Sequence, residues 1–170
     1  MIELNYNWII DLVIKDAEIH DGVNHSNTPI WFVVIADGVP QPFSTPQVQN
    51  SKNPTWNYPA RLVLKSLDIS KSFLYVALCT SGPNNVNIPL CSARISLRNL
   101  PIGSPKSFKF PLMLTNKADT EACTVRCAAT LSSFTPQVYL QPSINRPMMT
   151  GGMQQMGGYA QPMNRNFGYY

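Results

Sequence analysis

The sequence predicts an all-β chain: an eight-stranded antiparallel β-sandwich followed by an extended irregular tail. Three observations carry this. Short runs of β-branched and aromatic residues recur over about 130 residues, separated by turn signals. Fifteen prolines and nine glycines punctuate the chain, and no apolar period of helical length is sustained. Beyond Ser133 the composition changes.

Asn7 to Lys15 reads as the first strand, with Trp8, Ile10, Leu12 and Ile14 on one face and Ile9, Asp11, Val13 and Lys15 on the other. A loop is expected from Asp16 to Pro29, holding Asp21-Gly22 and both histidines, His20 and His25. Ile30 to Ala36 is nearly continuous in apolar residues, as a central strand is. Asp37-Gly38 then turns the chain into Gln41 to Gln49. Pro42 and Pro46 lack the N–H a ladder needs, which favours an edge position. Arg61 to Leu67, Ser72 to Cys79, Leu90 to Leu97, Lys106 to Leu114 and Glu121 to Leu131 complete the eight. Short strands at this spacing suit a two-sheet sandwich.

Hydrophobic residues make up 44% of the 170-residue chain, enough for a core, while charged residues are only 13%. The formal charge of +4 is too small to announce a nucleic-acid binder. Met1 leads into Glu3 and Asn5 without a basic start or an apolar leader run, so a cytoplasmic protein is expected. Cys79, Cys91, Cys123 and Cys127 fall inside predicted strands and are expected as buried free thiols.

The stretch Ser51 to Tyr58 organises the rest. Asn53-Pro54 is a turn signal, because Pro54 pushes Asn53 out of the helical region. Trp56 is a core anchor provided its N–H finds a partner, and Asn57 can tie a loop to its own backbone. Together Asn53, Pro54, Trp56 and Asn57 resemble the Asn-Pro-x-Trp-Asn signature of C2 domains, matching every specified position. The resemblance covers about residues 1–133. It implies a C2-type sandwich with Trp56 buried between the sheets.

C2 domains often bind calcium between loops at one end, through aspartates of a first and a third loop. Here the corresponding first-loop motif is Asn27-Thr28-Pro29-Ile30, with Thr28 at the aspartate position, and the third loop, Cys79 to Asn87, has no acid. Calcium wants about six to eight oxygens, usually with several carboxylates. The resemblance therefore implies a calcium-independent domain without a metal or other cofactor. Asp16 and Asp21 are read as loop solvation. The family's other lipid mode uses a basic sheet face, for which Arg61 and Lys65, four apart on one strand, are the candidates against lipid or an acidic surface. Each basic residue contributes only about 1 kcal/mol at an anionic membrane.

Enzyme readings find little support. His20 and His25 share a loop with Asp16 and Asp21, but no nucleophile elbow, zinc motif or phosphate-cradling glycine loop accompanies them. No catalytic residue is assigned.

The tail, residues 134–170, holds five of the seven methionines, four of the seven tyrosines and no acidic residue. Its glycine pairs and four prolines exclude a regular element. Tyr139, Met148, Met149, Tyr159, Phe167 and Tyr169 offer adaptable apolar contact to a partner. The expected function is a non-catalytic, protein-binding structural module of a larger assembly, with its tail threaded along a neighbour. A cytoskeletal polymer with an acidic surface, tubulin among them, would suit the mild positive charge. The alternative is a calcium-independent peripheral domain binding anionic membrane lipid in trafficking.

Overall fold

The structure, a computed structural model, describes residues 7–23, 27–65 and 68–134. They form strands β1 (Asn7–Ile19), β2 (Ile30–Ala36), β3 (Phe43–Ser44), β4 (Thr55–Leu64), β5 (Phe73–Ser81), β6 (Asn87–Ser96), β7 (Lys106–Leu114) and β8 (Lys117–Phe134). Two short 3₁₀ turns, Pro83–Asn85 and Leu97–Asn99, are the only helical elements among the described residues. The architecture is the expected all-β sandwich.

The strands follow the order β3-β2-β5-β6-β7-β8-β1-β4, with every adjacent pair antiparallel. The β6–β7 link is slight, only Cys91↔Leu114 and Ser92↔Met113. There the ladder folds over, giving layers β3-β2-β5-β6 and β7-β8-β1-β4. One core fills the space between: Phe32, Val34, Val76 and Leu78 of the first layer belong to the same buried cluster as Ile10, Leu12, Leu62, Val125 and Leu131 of the second. Burying a side chain such as Phe32 stabilises by about 1.5–3 kcal/mol.

β1 runs four residues further than Lys15, so Asp16 belongs to a strand and not to a loop. The reason is a bulge. Ile14 pairs with Cys127 and Asp16 with Arg126, leaving Lys15 as an extra residue. The bulge shifts the buried positions from Ile10, Leu12 and Ile14 to Ala17 and Ile19. A strict alternation loses phase at this point, which is why the sequence pattern ends there.

β3 is shorter than Gln41 to Gln49, but it lies at an edge as its prolines require. Most of that segment is held by single contacts. Ile30 and Val48 exchange backbone bonds at 2.9 Å, and the Phe32 N–H donates to the Thr45 hydroxyl at 2.9 Å. At the other edge, β4 begins at Thr55 and ends at Leu64, earlier at both ends than Arg61 to Leu67.

All four cysteines are free and buried. Burial, with the neighbouring Cys91 sulfur, pushes the Cys79 thiol up to about 11, and burial pushes Cys127 up to about 12. Cys123 is raised as well, first by its hydrogen bond with Cys91 and then by burial.

Candidate interaction sites

The signature segment closes the open side of the sandwich. β3 and β4 are the two edges of the ladder, and no backbone ladder joins them among the described residues. Trp56, at the start of β4, sets its ring edge-on to Phe32 of β2 at 4.8 Å. Its indole Nε1–H donates to the Pro46 carbonyl, beside β3, at 3.1 Å. Tyr58 stacks on Phe43 at 5.6 Å. Ahead of these, the Pro54 and Lys52 carbonyls accept the N–H groups of Ala17 and Ile19 at 3.1 and 2.8 Å. Trp56 is thus half-buried at the rim of the core rather than enclosed between the sheets. It lies where two layers meet at a seam, so one edge of the indole stays open.

Asn57 does not tie a loop; it lies inside β4 with φ +47°. Tyr58 pairs with Ile14 and Thr55 with Asp16, so Trp56 and Asn57 together stand opposite Lys15. Asn is among the few residues other than Gly that accept left-handed backbone at modest cost.

Arg61 and Lys65 face the same outer side, but Lys65 lies just past the end of β4. Arg61 is held by Asp11 through two bonds of 2.7 and 3.2 Å. Its charge is therefore largely compensated. On the same layer Arg126 is bound by Asp16, its Nε 3.1 Å from both carboxylate oxygens, and Lys15 donates to Ser107 at 2.8 Å. Lys109 stands directly opposite Arg126 in the ladder, a like-charge juxtaposition that Asp16 offsets. Asp16, Glu18, Asn53, Thr55, Lys109 and Arg126 line a shallow cleft of mixed charge. Sequence spacing missed this row, because the bulge at Lys15 decides which side chains share it.

Hydroxyls tie the segment ahead of β2 to the end of β5. Thr28 and Thr80 bond at 2.6 Å, and Thr80 donates to the Pro29 carbonyl at 3.0 Å. The third loop closes as a hairpin in which Gly82 N–H donates to the Val86 carbonyl at 2.7 Å and Asn84 and Asn85 take positive φ. Val86 (59%) just after its turn and Ile88 (40%) at the start of β6 are exposed. His20 contacts the Glu121 carbonyl at 3.3 Å, Asp21 pairs with Lys52 at 3.7 Å, and His25 lies outside the described residues. Among the described residues no three His, Cys, Asp or Glu side chains are grouped to hold a metal ion. Likewise no helix among them is long and apolar enough to cross a membrane. Tyr139, Met148, Met149, Tyr159, Phe167 and Tyr169 all lie outside the described residues.

No family model matches the chain, and no curated protein matches it. Solved structures do. A C2 domain of plant extended synaptotagmin 1 aligns with a TM-score of 0.61 at 14% identity, over 75% of this chain and 95% of that one. Human GIVD cytosolic phospholipase A2 aligns at 0.61 and 13% identity, over 78% of this chain but only 17% of the enzyme. CC2D1B aligns at 0.56 and 8% identity, over 71% of this chain and 53% of that one. At such identities the likeness is one of fold, and that fold is the C2-like sandwich.

Proposed function

We propose that this C2-like domain is a calcium-independent, non-catalytic interaction module that seats in a larger protein assembly, with its C-terminal tail as the second contact. The observation that carries the reading is the Thr28–Thr80 hydroxyl pair. At the end of the sandwich where C2 domains gather aspartates, a neutral hydroxyl pair ties the segment ahead of β2 to the end of β5. A neutral loop end of this kind favours contact with a protein surface over a headgroup bridged by metal. The mild positive charge and acid-free tail suit an acidic polymer such as a microtubule.

A second reading, attachment to anionic membrane lipid, draws on the exposed Val86 and Ile88, just after the hairpin turn. Arg61 and Lys65 add little to it, because Asp11 already binds Arg61. Co-sedimentation separates the two. The full chain is spun with polymerised cytoskeletal protein and with anionic liposomes, each with and without calcium. Pelleting with polymer, unaffected by calcium, supports the assembly reading. Pelleting with liposomes alone overturns it in favour of the membrane.

A further inference from the structure

The geometry points to the seam between β6 and β7 as a docking slot for an extended acidic segment of a partner protein, one that alternates carboxylates with apolar side chains. This deepens the assembly reading above, on which it rests, by naming where a partner's chain is held and by what chemistry.

The sandwich has two seams, and they differ. Across the β3–β4 seam, Trp56 and Tyr58 reach over and join the edges. At the β6–β7 seam the strands pair only at Cys91↔Leu114 and Ser92↔Met113, with one further bond from the Thr115 N–H to the Leu90 carbonyl. Beyond that link they part. Among the described residues, Ala93 to Ser96 pair with β5 alone and Lys106 to Leu112 with β8 alone. An edge strand directs every second N–H and C=O away from its one neighbour, so each side of the opening carries backbone groups for an added strand. The core shows through between them. Ala93 and Ile95 of β6, with Phe108 and Phe110 of β7, pack on the core yet stay half-buried. Alternate apolar side chains of an added strand would meet these four.

Charge names the occupant. From Asn87 to Leu114, through both strands and the connection between them, the chain carries four cations, Arg94, Arg98, Lys106 and Lys109, and no acidic residue. Among the described residues none of the four is in an ion pair. Lys109 stands opposite Arg126, whose guanidinium Asp16 already binds. Arg94, with Met113 and Leu114, lines a groove that crosses from β6 to β7. Its guanidinium lies 4.3 Å over the Phe73 ring. Contact on one face leaves the N–H groups along the rim of the plane for a carboxylate. Lysines and a proline on β7 are the usual guard of an edge against its own kind, since an identical strand would bring like charges together. A strand with carboxylates meets no such barrier. Cations flanking an apolar opening thus complement an acidic segment and repel a basic one.

The test is titration of the full chain with a capped nine-residue peptide, the length of β7, alternating glutamate and valine. Calorimetry should show binding that weakens with added salt and that Arg94→Glu with Lys109→Glu lowers by about tenfold or more. Lys52→Glu, the same change of charge ahead of β4 on the opposite edge, should leave it unchanged. Peptides with lysine in place of glutamate, or proline in place of valine, should not bind. Amide exchange from Ala93 to Ser96 and from Lys106 to Leu112 should slow when the glutamate peptide is present. Arg94→Gln with Lys109→Gln repeats the test should the charge reversals lower the melting temperature. Absence of binding overturns the inference, as do equal binding of the lysine peptide, seam amides left unprotected, and binding that both pairs of substitutions leave intact. Anionic liposomes held at the seam in place of the peptide overturn it too. Should the peptide test fail while the full chain still pellets with polymer, the assembly reading stands and this inference alone falls.

Discussion

The Trp56 indole N–H donates to the Pro46 carbonyl at 3.1 Å, fastening the start of β4 to the segment that follows β3. These two edges share no ladder, so the bond and the ring contacts beside it are what the structure offers to close that side. The Asn-Pro-x-Trp-Asn signature acts here as a clasp.

Replacing that clasp separates its parts. Trp56→Phe keeps a ring against Phe32 but leaves the Pro46 carbonyl to water, and should cost about 1 kcal/mol. Trp56→Ala also loses the aromatic contact. Because the ring is half-buried, the loss should be about 2–3 kcal/mol, below the 3–5 kcal/mol typical of a fully enclosed tryptophan. Urea denaturation of both variants measures this. Equal losses for the two would mean that the hydrogen bond, not the ring, closes the seam.

Asn57, at φ +47°, predicts an inverted substitution pattern. Within a strand glycine normally destabilises and valine is welcome. At this position Asn57→Gly should be nearly neutral, while Asn57→Val should cost about 1–3 kcal/mol of backbone strain. Thermal melts decide it, and a stable valine variant would mean that β4 can run without its irregularity.

Alkaline pH should weaken the fold through the thiols. In the unfolded chain a cysteine ionises near the ordinary thiol value, about 8.5. In the fold, burial holds Cys79 protonated to about 11 and Cys127 to about 12. Between those values the folded state binds more protons, so stability falls as pH rises. The loss should begin near pH 9 and grow through pH 11. Cys79→Ala with Cys127→Ala should flatten that part of a denaturant-midpoint profile. An unchanged slope would assign the alkaline loss to other groups.

Calcium titration addresses the loop end. With Thr28 bonded to Thr80 and no acid from Cys79 to Asn87, calorimetry should detect no calcium site tighter than millimolar. A micromolar site would contradict the loop correspondence on which calcium independence rests.

Much of this protein is legible in its residues. Turn signals and β-branched runs locate all eight strands, because strand propensity and turn chemistry are local. Asn53-Pro54-x-Trp56 marks the right segment, and Pro42 and Pro46 the right edge, since a missing N–H is a property of the residue itself. Tertiary structure decides the rest. The bulge at Lys15 turns an expected loop into strand and brings Asp16 to Arg126, residues 110 apart in sequence, which no local pattern encodes. Arg61 as a free basic contact depends likewise on register, for only the β1–β4 pairing sets Asp11 beside it. Trp56 is recognisable as an anchor, but whether it sits inside the core or at its rim depends on where two sheet edges meet. That is fixed by long-range packing, and packing is summed over the whole sandwich rather than written at any one position.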